Sequence, residues 1–118
     1  MKITYTEKKV MDFIWEKEPV KSKDIVEYCK NSFDWKNTTT FTFLKRLENK
    51  GIVVNNNSIV SSLISKDNIE QEASKEFVQD VFNQSLPSFL AAFLNGKHLS
   101  DKEYKEIKKL IDEHRMEK

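Results

Sequence analysis

Apolar side chains recur at spacings of three and four along most of this 118-residue chain, with one interruption where they bunch into β-branched runs. The first periodic stretch carries Val10, Met11, Phe13, Ile14 and Trp15 along one side. Thr6 is placed to cap it, Glu7 falls in the first turn where the helix dipole favours an anion, and Pro19 ends it. A second, shorter helix is predicted from a Ser22 cap to near Asn31, with Ile25, Val26, Tyr28 and Cys29 as its apolar side. A third opens near Asn37 and runs to Lys50. Thr40, Phe43, Leu44 and Leu47 face inward, and Gly51 can take the left-handed conformation that stops a helix. Three helices with short links read as a helix-turn-helix.

The interruption comes next. Ile52-Val53-Val54 and Ile59-Val60-Ser61-Ser62-Leu63-Ile64 flank Asn55-Asn56-Asn57-Ser58. Asn tolerates positive φ, so this segment predicts a β-hairpin with the Asn-rich loop as its tip. Helical spacing then resumes behind a Ser65 cap, with Ile69, Ala73, Phe77, Val81 and Phe82 on one side. A short piece from Pro87 to Asn95-Gly96 is apolar nearly all round. Ser100 and Glu103 form a capping-box pattern ahead of a last helix with Tyr104, Ile107, Leu110, Ile111 and His114. The expected fold is mainly α. A winged helix-turn-helix DNA-binding domain spans residues 1–64, and a helical dimerisation region spans 65–118. A short helix apolar on all sides must be buried. A second copy is the expected cover, through Phe77, Val81, Phe89, Leu90, Phe93, Leu94, Ile107, Leu110 and Ile111.

Composition narrows the function. Two Gly and two Pro in the whole chain leave no material for turn-rich sandwiches or for glycine phosphate loops. A single cysteine, Cys29, excludes an intrachain disulfide framework and reads as a small core residue. His98 and His114 lack the spacing of a zinc pair, and no nucleophile motif occurs, so neither an enzyme nor a metal or cofactor is expected. The longest apolar run, Phe89 to Leu94, is far short of the ~20 residues of a membrane span. With no hydrophobic leader at its start, the chain is expected to be cytoplasmic without membrane insertion. Residues 1–51 hold 11 Lys and Arg against 8 Asp and Glu, and the remainder holds 9 against 11. The basic half is where a polyanion would bind.

The third helix is the informative element. Four of the five positions 38–42 are Thr, a poor helix former, so propensity did not select them. Thr38, Phe41, Thr42, Lys45 and Asn49 face outward, with Thr39 and Arg46 on the flanks. Short hydroxyls approach base edges and phosphates closely, and an aromatic ring can touch a thymine methyl. Double-stranded DNA is the partner this face suits. A small helical adaptor for another protein, or a winged-helix regulator with a ligand pocket between two copies, also fits the residues.

Tyr5-Thr6-Glu7, Val10-Met11, Ile14-Trp15, Asp24-Ile25-Val26 and Trp35, followed by Thr39-Thr40-Phe41-Thr42-Phe43-Leu44-Lys45-Arg46-Leu47 and Lys50-Gly51, together resemble the penicillinase repressor (BlaI/MecI) family. The resemblance covers the whole chain and is strongest over residues 5–54. It implies a homodimeric transcriptional repressor on an inverted-repeat operator, controlling a β-lactamase or another β-lactam resistance gene. By position it assigns base reading to Thr38, Thr39 and Phe41 and phosphate contact to Thr42 and Arg46, while Trp15 and Trp35 match packing residues. Phe41 stands where relatives often carry a basic or bulky polar residue. No Lys or Arg occurs between Lys50 and Lys66, so Asn55, Asn56 and Asn57 are left to reach phosphate. The resemblance also implies inactivation by a membrane-bound β-lactam-sensing metalloprotease that cuts an Asn-Phe bond. The matching position reads Ala92-Phe93, which keeps Phe and lacks Asn. The Cys-x-Cys tail of copper-responsive relatives is absent.

Overall fold

The computed structural model describes residues 3–116. Among them run α1 (Tyr5–Lys17), β1 (Val20–Lys21), α2 (Ser22–Phe33), α3 (Asn37–Asn49), β2 (Val53–Asn56), β3 (Ile59–Ser62), α4 (Lys66–Val81), α5 (Leu86–Leu94) and α6 (Asp101–Glu113). The chain forms two compact units, one through Phe77 and one from Val78 on, and the change of unit falls within α4. The first unit is a winged helix.

Its helix ends depart from the expectation in two places. Thr4, not Thr6, caps α1: its hydroxyl accepts from the Glu7 amide at 3.1 Å, and the Glu7 carboxylate accepts from the Thr4 amide at 2.8 Å. A reciprocal box needs an acid three residues downstream, which Thr4 has and Thr6, followed by Lys9, lacks. Ser22 is the first helical residue of α2 rather than its cap, and its amide donates to the Ser58 carbonyl at 2.8 Å. Lys21 holds the cap position because Val20 and Lys21 are already extended, paired with Val60 and Ile59 as a third strand that the hairpin pattern did not reveal.

The wing is the antiparallel sheet β1-β3-β2. Its tip is tighter than the expected four-residue loop. Asn55 and Asn56 belong to β2, and only Asn57 and Ser58 turn, at φ of 51° and 67°. Two successive left-handed residues are what a two-residue hairpin requires, and Asn accepts that conformation readily. At the end of α3, Gly51 takes φ of 75° and donates to the Glu48 carbonyl, while the Ile52 amide donates to Leu47. This pair of bonds satisfies the last carbonyls and turns the chain directly into the wing.

The core is drawn from every element of this unit: Val10, Met11 and Ile14 from α1, Ile25 and Cys29 from α2, Leu44 and Leu47 from α3, Val20, Val53 and Val60 from the wing, and Ile69 from α4, with Ile52 from the link between α3 and β2. Cys29 is indeed a core residue. Burial pushes its thiol up, only partly offset by the neighbouring Thr40 hydroxyl, so it stays protonated and inert. Trp15 is half-buried against the core and its indole N–H donates to the Ile64 carbonyl at 3.0 Å. The Glu18 carboxylate accepts from the amide and hydroxyl of Ser62 at 2.7 and 2.8 Å. Together these bonds lash the end of α1 to the wing.

One buried charge fixes the other end of α1. Glu7 is 1% exposed, and its carboxylate receives the Lys50 ammonium at 2.7 Å. Lys50 is the C-cap of α3, so the pair joins the start of the first helix to the end of the third. Burial alone would raise the Glu7 carboxyl. The Lys50 hydrogen bond and charge, with the Thr4 amide and hydroxyl, outweigh it and hold the group below its ordinary 4.5. A depressed carboxylate stabilises the fold above its unfolded pKa and loses that contribution as pH falls through the lower folded value. Lys50→Met, which strands the buried carboxylate, should cost about 3 kcal/mol at neutral pH. In denaturant titrations across a pH series, the gap between parent and variant should close as pH falls through the lowered folded value, where Glu7 takes up a proton. A gap that stays constant with pH would mean that Lys50 acts through something other than Glu7.

Candidate nucleic-acid interface

The outer face of α3 is the candidate site. Its inner face is closed, with Thr40 and Leu47 wholly buried and Leu44 nearly so. On the opposite side Thr38, Phe41, Thr42, Lys45, Arg46 and Asn49 are exposed, and Thr39 is half-buried on the flank. This is the division that the helical spacing predicts. Phe41 is 50% exposed, on the side of the helix away from its three buried side chains Thr40, Leu44 and Leu47.

Three polar side chains on this face have defined contacts. The Thr42 hydroxyl donates back to the Thr38 carbonyl at 2.9 Å, so it meets a ligand as an acceptor unless it rotates. Lys45 makes a loose 3.8 Å pair with Glu48, too exposed to hold the ammonium back. The Arg46 guanidinium lies 5.1 Å from the centroid of the Phe43 ring. Phe43 itself is half-buried and stacks on Trp35 at 4.7 Å.

On the wing, Asn55, Asn56 and Asn57 are all exposed. They are neutral donors with no basic neighbour of their own on the hairpin. The fold supplies one from elsewhere. Pairing of β1 with β3 brings Lys21 and Lys23 to the hairpin turn, where they line a hollow of about 260 Å³ with Ser22, Asn57, Ser58 and Ile59. Both lysines are exposed and in no ion pair among the described residues. Sequence reasoning missed them because a two-residue strand has no periodicity to read. The only available hint was the lysines on either side of Ser22, just ahead of an apolar run.

The second unit carries all the expected association residues except Phe77, and none of the nine is buried. Ser85 caps α5 and Ser100 caps α6, each accepting from the amide three residues on. Phe82, Phe89 and Phe93 form a row with centroids 5.4 and 5.9 Å apart. Leu90, Leu94, Ile107 and Ile111, with Phe89 and Phe93, line an apolar cavity of about 370 Å³ between α5 and α6. Val81, Phe93, Leu110 and Ile111 are each more than half exposed, and Phe77, the last residue of the first unit, is 50% exposed. Ala92 and Phe93, the expected cleavage position, lie inside α5. Among the described residues no group of His, Cys, Asp or Glu is arranged to hold a metal ion, and no helix is long and apolar enough to cross a membrane.

Comparison with known proteins bears on this geometry. The family model described as penicillinase repressor matches residues 3–113. The methicillin resistance regulatory protein MecI of Mammaliicoccus sciuri is 28% identical over 114 residues, covering 93% of each chain. The penicillinase repressor of Staphylococcus aureus is 26% identical over 117 residues, or 96% of this chain and 93% of that one. That of Bacillus licheniformis is 26% identical over 121 residues, or 98% and 94%.

Proposed function

The chain belongs to the penicillinase repressor family, and from that premise we propose that it represses transcription as a homodimer on an inverted-repeat operator. The observation that carries this reading is the outer face of α3: hydroxyls, a half-exposed Phe41 and two cations on a helix whose other face is sealed in the core. Such a helix fits a major groove. Thr38, Thr39 and Phe41 read base edges, while Arg46, Lys45 and the wing residues Asn55, Asn56 and Asn57 hold the backbone. Lys21 and Lys23 supply the charge that the wing lacks. Thr42 joins the backbone contacts once its hydroxyl turns away from Thr38.

The bare apolar faces of α5 and α6 support self-association as the source of the two-fold arrangement, with Phe77, Val81, Phe89, Leu90, Phe93, Leu94, Ile107, Leu110 and Ile111 at the interface. A half-site contact by one winged unit is modest, and linking two raises the apparent affinity by orders of magnitude. The names of the relatives, a methicillin resistance regulatory protein and a penicillinase repressor, point to a β-lactamase or methicillin-type resistance gene as the target. Release follows from a cut at Ala92-Phe93 by a membrane-bound β-lactam-sensing metalloprotease. A protease binds extended backbone, so α5 has to open first. Its short span, Leu86–Leu94, with no side chain buried in the isolated unit, makes that opening easy.

Three outcomes follow. In electrophoretic shifts with the chain's own upstream DNA, Phe41→Ala and Thr39→Ala should each lower the preference for operator over random duplex by ~1–3 kcal/mol. Unchanged preference in both variants would remove α3 as the reader. Phe93→Asp should sediment as a folded monomer with strongly weakened operator binding, whereas a dimer would displace the proposed interface. In cells exposed to a β-lactam, mass spectrometry should find the chain cut after Ala92. Full induction of the target gene with intact protein would mean that repression is relieved without proteolysis.

A further inference from the structure

The resting place of the Arg46 guanidinium has a cause that reaches across the whole first unit. Phe13 of α1 stacks on Tyr28 of α2 with centroids 4.1 Å apart, and Tyr28 meets Phe33 edge-on at 5.8 Å. Phe33 lies 5.1 Å from Trp35, and Trp35 stacks on Phe43 at 4.7 Å with the planes 19° apart. The row ends at Arg46, one turn beyond Phe43 on α3 and 5.1 Å from its ring. Among the described residues no carboxylate lies within ion-pair distance of Arg46. On the protein, the guanidinium rests against the Phe43 ring.

We propose that Phe43 is a positioning residue for Arg46, and that the aromatic row is a rigid mount for a phosphate-binding arginine. The proposal rests on the DNA-binding reading above. An exposed arginine samples many rotamers, and ordering it on contact with DNA costs side-chain entropy. A cation held over an aromatic face is ordered beforehand, and the attraction engages the ring without consuming N–H donors. The planar fork then remains available for bidentate contact with phosphate oxygens. Phe43 does this only if its own ring is fixed, and Trp35 fixes it. The row thus converts packing between α1 and α2 into the placement of one charge on α3.

The test uses the full chain and fluorescence anisotropy with two labelled duplexes, operator and unrelated sequence of equal length, over a salt series. Arg46→Ala should weaken both duplexes and reduce the salt slope by about one counterion. Phe43→Leu keeps an apolar side chain but removes the π face. It should weaken both duplexes by about three-fold, with the salt slope unchanged because the charge remains. Phe43→Tyr should restore parent affinity, and Phe43→Leu should add nothing in an Arg46→Ala background. Thermal melts confirm that each variant is folded at the assay temperature. Equal weakening by Phe43→Leu with and without Arg46, or no weakening at all, would overturn the positioning role and leave DNA binding intact. A parent protein that binds neither duplex would overturn the DNA-binding reading and this proposal with it.

Discussion

A single thirteen-residue helix, α3, has to satisfy two surfaces at once. Its inner side must be tightly packed for the first unit to fold, and its outer side must stay bare for the proposed recognition of DNA. Its Thr-rich first half gives it little intrinsic helical stability, so the helix depends on what surrounds it. Those supports are visible at several points along it. Leu44 and Leu47 are sealed into the core, Lys50 is tied to the buried Glu7, and Gly51 closes the last turn. Phe43 leans on Trp35. With the inner face and the ends secured in this way, Thr38, Phe41, Thr42, Lys45 and Asn49 are left exposed on the outer face.

The two units differ in how they meet the same physical demand. The first buries its apolar side chains within itself, down to Ile69 at the start of α4. From Val78 onward no described side chain is buried, and the apolar faces of α5 and α6 are open. Exposed apolar area of that kind is characteristic of an association surface. On the proposed reading, DNA affinity depends on a separate contact between copies. Loss of that proposed contact would then be enough to end binding, without any change in α3.

What could be read directly from the residues was whatever periodicity and punctuation encode. The inward set Thr40, Phe43, Leu44 and Leu47 and the outward set Thr38, Phe41, Thr42, Lys45 and Asn49 follow from helical spacing, and the structure places them so except that Phe43 is only half-buried. Local chemistry with two competing candidates was harder. Thr4 and Thr6 are both plausible caps, and the choice turned on which one has Glu three residues downstream. Features that exist only through tertiary pairing left no local trace. The two-residue β1 is defined by β3, and Lys21 and Lys23 reach the wing tip through that pairing. The aromatic row is of the same kind. Phe13, Tyr28, Phe33, Trp35 and Phe43 are scattered over three helices and a loop, and each reads alone as an ordinary core residue.

The central claim, that two copies of this fold grip a two-fold DNA site through α3, is tested most directly by hydroxyl-radical footprinting of the full chain on its own upstream DNA. The account predicts two protected half-sites related by a dyad, with centres about one helical turn of DNA, or a whole multiple of it, apart. A single unpaired footprint, or uniform protection that follows no sequence, would contradict it.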